Sequence, residues 1–361
     1  MPKIDHIQAN RYRIPLDTPL TDAMHGTQTA FEVITVQVTD AEGATGVGYT
    51  FTPGQNGGSI HAAARETLLP AMGEDADRIE YLWEKIWWHT HYGGRGGAAH
   101  FALSAFDTAL WDLKAKHAGL PLWRLLGGYD PAVKAYAGGI DLDLTADELL
   151  AQTDGNLSKG FRAIKMKVGR DRLAEDVEKI AAMREHLGPD TPLMVDANMK
   201  YTVEEALRAA RAFAPYDLTW FEEPIPPDNL MGHKRLTDHS EIPIAAGENL
   251  RTINDFANLI AHGVAFPEPD VTNCGGVTSF MKVAHLAEAH GLPVTSHGAH
   301  DITVHLLAAC PNASFLEAHG FGLDAFIAHP LELKEGRAIA PERPGHGMEF
   351  DWEALKSVAV D

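Results

Sequence analysis

Two hydrophobic periodicities divide the chain. Residues 1–125 open on alternating apolar and polar positions: HIQANRYRIPL, then FEVITVQVTD, the turn AEGATG, and VGYTFT. A period of two with a glycine-containing turn predicts antiparallel hairpins. The apolar spacing then becomes helical through HAAARETLLPAM, IEYLWEKIWWHTH and HFALSAFDTALWDLKAKHAG, which stops at Gly119 before Pro121. Strands followed by helices predict a compact α+β domain. Residues 126–325 behave differently. Short apolar segments (VKAYAGG, RAIKMKVG, PLMVDAN, LTWFEEP, IPIAAGEN, AFPEPDVTN, LPVTSHG, SFLEAHG) are separated mostly by amphipathic helical stretches such as LAEDVEKIAAMREHLG and TVEEALRAARAF. Eight such strands predict an α/β chain closing into a (β/α) barrel. A doubly wound nucleotide-binding sheet fits less well, because no G-x-G-x-x-G follows the first strand. Residues 326–361, rich in Pro and Gly, are expected to pack back on the first domain.

Composition narrows the function. Hydrophobic residues make up 45% and charged residues 22%, which excludes a largely disordered chain. No apolar run approaches the ~18 residues of a membrane-spanning helix, and MPKIDHIQANRYRIPLDTP has no apolar signal core, so a cytoplasmic location is expected. The only cysteines, Cys274 and Cys310, exclude a disulfide scaffold and a thiolate-rich metal site. Thirty basic against fifty acidic residues leave a net charge of −20, which repels a phosphate backbone. A small-molecule partner is expected, with neither nucleic acid nor membrane.

The chemistry gathers at the C-terminal ends of the barrel strands, where barrel enzymes carry their sites. Lys165 and Lys167 share one strand; Asp196 and Asn198, Glu222 and Glu223, Glu248 and Asn249, Asp270 and Asn273, His297, and Glu317 with His319 follow. Asp196, Glu222 and Glu248 come from successive strands and project into one mouth. Three carboxylates in a shared cavity need a cation to stay ionised, and an all-oxygen set favours Mg²⁺ or Mn²⁺ over Zn²⁺. Glu223, of opposite alternation, is a supporting candidate. Lys165 and Lys167 lie on one strand face; close ammonium groups near a cation are expected to depress each other's pKa, making Lys167 a general base. Asp270 would fix the tautomer of His297 and raise its basicity. A divalent cation flanked by two bases suits abstraction of a proton α to a carboxylate, a pairing of Lys or His base with Mg²⁺ that is familiar from enolase-superfamily sites.

These segments resemble the mandelate racemase subgroup of the enolase superfamily. IKMKVG is similar to its K-x-K motif, VDAN, WFEEP and AAGEN to its metal-ligand motifs, and Asp270/His297 to its dyad; LEAHG resembles the segment carrying an electrophilic Glu, here Glu317. The resemblance spans the chain. It implies a modified TIM barrel, (β/α)₇β, with an N-terminal α+β capping domain. Lys165, Lys167, Asp270, His297 and Glu317 would be catalytic, Asp196, Glu222 and Glu248 would hold Mg²⁺, and the chain would form a homo-oligomer, an octamer or a dimer.

In such proteins loops of the capping domain meet the distal end of the substrate. Here TDAMHGTQTAFE, YTFTPGQNGGS, HTHYGGRGG and AYAGGIDLD look most similar to those of 3,6-anhydro-α-L-galactonate cycloisomerases, and partly to galactarate/talarate-type dehydratases. His25, Gln28, Gln55, Asn56, His91, Arg95 and Asn198 are residue types that bind hydroxyl and carboxylate groups, which suits a sugar acid. The expected reaction is β-elimination after α-proton abstraction. It would be a cycloisomerisation if the leaving oxygen is an internal ether and a dehydration if it is a free hydroxyl; return of the proton to the same carbon would give a racemase or epimerase. A sugar-acid-binding protein without activity is the non-enzymatic alternative.

Overall fold

The computed structural model describes residues 2–360. Strands β1 (Ile4–Asp22), β2 (Gly26–Asp40) and β3 (Thr45–Thr52) form an antiparallel meander backed by helices α1 (Gly57–Thr67), α2 (Ile79–Gly94) and α3 (Ala98–Ala118). Helix α3 ends where the sequence places its stop: Gly119 adopts φ 66° and its N–H caps the Ala115 and Lys116 carbonyls. The β1–β2 hairpin differs from the sequence expectation. TDAMHGTQTAFE is not a long loop; the two strands run on to a tight turn at residues 23–25. A register shift between Pro15 and Leu20 absorbs the prolines that hide the strand's continuation.

The short helix α4 (Leu122–Leu125) leads into the barrel. Strands β4 (Ala132–Gly138), β5 (Ile164–Lys167), β6 (Leu193–Asp196), β7 (Phe221–Glu222), β8 (Ile244–Ala246) and β9 (Phe266–Pro267) pair in parallel in that order. Helices α5 (Ala146–Ser158), α6 (Leu173–Leu187), α7 (Val203–Phe213), α8 (Leu230–His239), α9 (Ile253–Ala261), α10 (Gly276–Ala289) and α11 (His300–Ala308) fill the connections. The LPVTSHG segment is reduced to hydrogen bonds: Thr295 N donates to Pro267 O at 3.1 Å and Ser314 N to Val294 O at 2.8 Å. The last strand, β10 (Phe315–Glu317), then pairs with β4 and closes the ring, giving (β/α)₇β.

The barrel interior explains why the strand ends carry charge. Tyr136, Met194, Trp220 and Ala245 point inward and fill the lower layers with apolar volume. Two residues beyond Met194 and Trp220 on the same strands, the inward positions are Asp196 and Glu222, in register beside Lys167. Three connecting helices begin with reciprocal caps: Thr145 with Glu148, Thr202 with Glu205, and Thr252 with Asp255. Each such cap contributes ~1 kcal/mol and fixes where the rim loop ends.

The tail divides its contacts. Strands β11 (Glu332–Lys334) and β12 (Arg337–Ile339) form a hairpin laid on β4 of the barrel, whereas β13 (Ala359–Val360), after α12 (Trp352–Lys356), pairs with β1. His346 also bridges to the first unit: its N–H donates to Asp112 Oδ1 and its ring meets Val47 O. Among the described residues no helix is long and apolar enough to cross a membrane.

Candidate active site

Asp196, Glu222 and Glu248 converge at the barrel mouth, each offering an oxygen within 4.8 Å of the others. All three are buried, and the two lysines sit among them. Lys165 Nζ lies 2.5 Å from Glu222 Oε1, 2.8 Å from Glu317 Oε1 and 3.6 Å from Asp196 Oδ2; Lys167 Nζ is 2.5 Å from Asp196 Oδ2. The donors around the carboxylates hold them still. Trp220 Nε1 donates to Glu222 Oε2 at 2.9 Å and Asn198 N to Asp196 Oδ1 at 2.8 Å. Asn198 at φ 42°, two residues after Asp196, and Glu223 at φ 35°, next to Glu222, occupy left-handed backbone, the kind of local strain held at functional sites.

The electrostatics show what this cluster lacks. Burial pushes Glu222 up to about 8 even with Lys165 beside it, because Asp196, Glu317 and Glu248 crowd it. Burial also pushes Asp196 up, but Lys167 and Lys165 outweigh it and hold that carboxyl below its ordinary range. Glu222 therefore calls for more positive charge than the two lysines supply. A hard divalent cation fits a donor set of buried carboxylate oxygens. The lysines correct one expectation. Burial, the largest influence, lowers Lys167 and Lys165 adds to it, but Asp196, Glu248 and Glu222 together outweigh them, and its pKa lies above the ordinary value. The expected depression requires a cation to occupy the charge of Asp196.

Across the mouth, His297 Nδ1 lies 2.9 Å from Asp270 Oδ2, and Asp270 Oδ1 accepts from Thr272 N and Oγ1, each at 2.7 Å. The anchored Nδ1 turns Nε2 toward Glu248 Oε2 at 3.3 Å and Glu317 Oε2 at 3.8 Å. Burial pulls the imidazole down, but Glu248, Asp270 and Glu317 raise it well above its usual value. Glu317 is cradled by glycines: Gly298 N donates to Oε2 at 2.8 Å, and a Cβ on Gly138 would collide with the carboxylate. Phe51 and Phe321 stack at 3.4 Å between centroids and close one side of His297.

A cavity of about 170 Å³ lies over these groups, lined by Lys167, Asn198, Glu248, Asp270 and His297 below and by Asp22, His25 and Gln28 of the hairpin tip above. It shares His25, Gln28, Thr52, Pro53 and Phe101 with an outer chamber of about 600 Å³ that contains Gln55 and Asn56. The structure thus gathers His25, Gln28, Gln55, Asn56 and Asn198. It does not gather Arg95 and His91, which line neither space. Both lie at the end of α2, Arg95 over the Trp87 ring and His91 bonded to Trp88 O. The amphipathic pattern marks that segment as helix but does not say which face meets the barrel.

Some residues at the site carry no local signal. Asp141 Oδ1 accepts from Lys167 N at 2.9 Å, and the Asp141 segment pairs with Thr21, pinning the hairpin tip to the rim. Arg251 enters the cavity with its Nη1 spent on Glu248 O and Leu250 O. Glu268, fully buried, accepts from Tyr136 at 3.3 Å.

Beside the barrel, His300 Nε2 sits 3.2 Å from both Asp301 Oδ2 and Asp324 Oδ1. Burial opposes its protonation, but the two carboxylates lift it to about 10. A raised folded-state pKa contributes stability that is complete below the ordinary value of about 6.5 and is lost as pH rises through about 10. Thermal melts of His300→Asn should accordingly fall furthest below the parent at acidic pH, with the gap narrowing between those limits. A gap independent of pH would show that the ion pairs contribute nothing.

The comparisons with known proteins agree with this geometry. Residues 6–127 match the mandelate racemase / muconate lactonizing enzyme N-terminal domain, and residues 148–354 match the enolase C-terminal domain-like family. The chain belongs to the mandelate racemase/muconate lactonizing enzyme family of the enolase superfamily. It is 53% identical over 359 residues to the 3,6-anhydro-α-L-galactonate cycloisomerase of Streptomyces coelicolor, covering 99% of both chains. A magnesium-bound racemase structure from S. coelicolor superposes with a TM-score of 0.97 at 52% identity, over 99% of this chain and 100% of that one. An L-talarate dehydratase from Polaromonas, solved with Mg and L-glucarate, superposes with a TM-score of 0.94 at 35% identity, over 100% and 98% of the two chains. This is an enzyme family whose relatives bind magnesium and act on sugar acids.

Proposed function

We propose that the protein is a Mg²⁺-dependent cycloisomerase that opens the ring of 3,6-anhydro-L-galactonate to a 2-keto-3-deoxy sugar acid. The observation that carries this over the diacid dehydratase reading is the lining of the outer chamber. Its polar groups are Thr27, Gln28, Thr52, Gln55, Asn56 and Ser59, with His25 already paired to Asp22 and no Arg or Lys among the described lining residues. A second carboxylate at the distal end of an aldarate would find no Arg or Lys there, only an imidazole whose charge Asp22 already balances, whereas an uncharged ring with hydroxyls finds donors and acceptors. The 53% identity to a cycloisomerase supports the same choice.

Asp196, Glu222 and Glu248 would hold Mg²⁺, whose charge draws in the substrate carboxylate and stabilises the negative charge that develops as the α-proton leaves. Lys165 and Glu317 form a fixed ion pair next to that carboxylate. Lys167 and His297 come from well-separated strands and flank the α-carbon. One removes the α-proton. The C2 electron pair forms the C2–C3 double bond, the C3–O bond breaks, and a proton goes to the departing oxygen; the enol then takes a proton at C3. Asp270 keeps His297 Nε2 aimed at the reacting carbon, so Asp270→Asn should lower kcat by about 10-fold or more with a smaller change in KM, read from initial rates. The test of the assignment is purified protein with Mg²⁺ and 3,6-anhydro-L-galactonate. A keto acid of the same mass as the starting acid, detected with semicarbazide, is expected; loss of one water, or activity confined to galactarate, would replace this reading with a dehydratase. A homo-oligomer also fits the exposed Trp88 and Tyr92 on α2.

A further inference from the structure

The hairpin tip carries a second Asp–His pair facing the first. Asp22 is buried and its carboxylate is saturated by its own hairpin: Oδ1 accepts from the backbone N–H of Met24 at 2.9 Å and of His25 at 2.6 Å, while Oδ2 meets His25 Nδ1 at 3.0 Å and Gln28 Nε2 at 2.9 Å. Four bonds spent on one turn fix the imidazole. With Nδ1 on Asp22, Nε2 is the free nitrogen, and His25 lines the cavity that Lys167, Glu248 and His297 line from below. The tip is not free to swing: Thr21 N donates to Ile140 O at 3.3 Å, Leu142 N to Thr21 O at 3.0 Å, and Asp141 in turn holds the backbone of Lys167.

Ring opening and tautomerisation move protons at four atoms. One leaves C2, one arrives on the ether oxygen, one arrives on C3, and one leaves the enol oxygen to solvent. Lys167 and His297 account for two. We propose that His25 is the general acid that delivers its Nε2 proton to the departing ring oxygen, with Asp22 as the residue that positions and charges it. In balance, the C2–H pair forms the C2–C3 double bond, the C3–O pair stays on oxygen, and oxygen takes the His25 proton. The α-proton remains on the abstracting barrel base, the other barrel group protonates C3 as the enol O–H is lost, and solvent restores His25. The inference rests on the cycloisomerase reading above.

The surroundings of His25 favour its charged form. The hydrogen bond with Asp22 raises its pKa against burial, with the Asp22 and Glu248 charges adding and Lys167 opposing. Arg251, Asp270 and His297 are the other charged or titratable groups in the cavity. As an acid, His25 must be protonated, so its titration sets an alkaline limb on kcat.

Wild type, His25→Asn and Asp22→Asn are compared with Mg²⁺ and 3,6-anhydro-L-galactonate in D₂O, with proton NMR following loss of the C2 proton and appearance of the keto acid. His25→Asn should open the ring at least ~10²-fold more slowly while still exchanging the C2 proton at a rate near that of wild type. Asp22→Asn should retain activity but move the alkaline limb of kcat to lower pH. A His25→Asn protein with unchanged kcat and raised KM, or one in which exchange and opening fall together, would overturn the acid role while leaving the cycloisomerase assignment intact. A wild type that leaves this acid untouched would overturn both.

Discussion

Exchanging Glu222 for Gln, or Asp196 for Asn, should take turnover below detection and leave a folded protein. Each change removes one negative oxygen from a buried set of three while keeping the side-chain volume. The fold has reason to survive Glu222→Gln, because Lys165 keeps Glu317 at 2.8 Å as a counter-charge and is not stranded alone in the barrel. Function has no such reserve, since a hard cation held by two carboxylates instead of three loses both affinity and position. EDTA treatment of the wild type should produce the same loss, reversed by Mg²⁺ or Mn²⁺. Circular dichroism melts beside initial rates separate the two effects. Full activity after rigorous metal removal would contradict the role given to the carboxylates.

The second large effect concerns the two barrel bases. His297→Asn and Lys167→Ala should each lower kcat by at least ~10²-fold, the lower end of what a positioned acid or base contributes. Lys167 is buried and His297 partly so, and each holds a carboxylate, so truncation also disturbs neighbours: without Lys167, Asp196 loses its 2.5 Å partner, and without His297, Asp270 loses its 2.9 Å partner. The discriminating readout is therefore exchange of the substrate α-hydrogen with solvent deuterium. The variant lacking the abstracting base should lose exchange, whereas the other should lose product formation more than exchange. Near-normal turnover in either variant would leave a one-base site.

The catalytic barrel is largely legible in the sequence because period-two alternation fixes which strand residues point inward. Lys165 and Lys167, then Asp196 and Glu222, fall on the inner face by counting alone, and the structure brings them into adjacent register. The T-x-x-E and T-x-x-D caps of α5, α7 and α9 are equally local signals. What escapes a local reading is non-local. The pairing of Thr21 with Asp141, which seats the hairpin tip on the rim, joins positions far apart in the chain and has no pattern in either segment. The same holds for the Phe51–Phe321 stack beside His297. Arg95 and His91 depart from expectation for a related reason: polar residues flanked by glycines read as a binding loop, but His91 sits on the last turn of α2 and Arg95 caps it, and neither lines the cavity or the outer chamber.

Metal-assisted abstraction of the α-proton and rupture of an internal ether leave separate marks on one product. Incubating the enzyme with Mg²⁺ and 3,6-anhydro-L-galactonate in D₂O, then taking the proton NMR spectrum and mass of the product, tests both together. The predicted product is a 2-keto-3-deoxy acid with no proton at C2, one solvent deuterium at C3 and no water lost. A product lighter by one water, or recovered starting acid with its C2 proton intact, would contradict it.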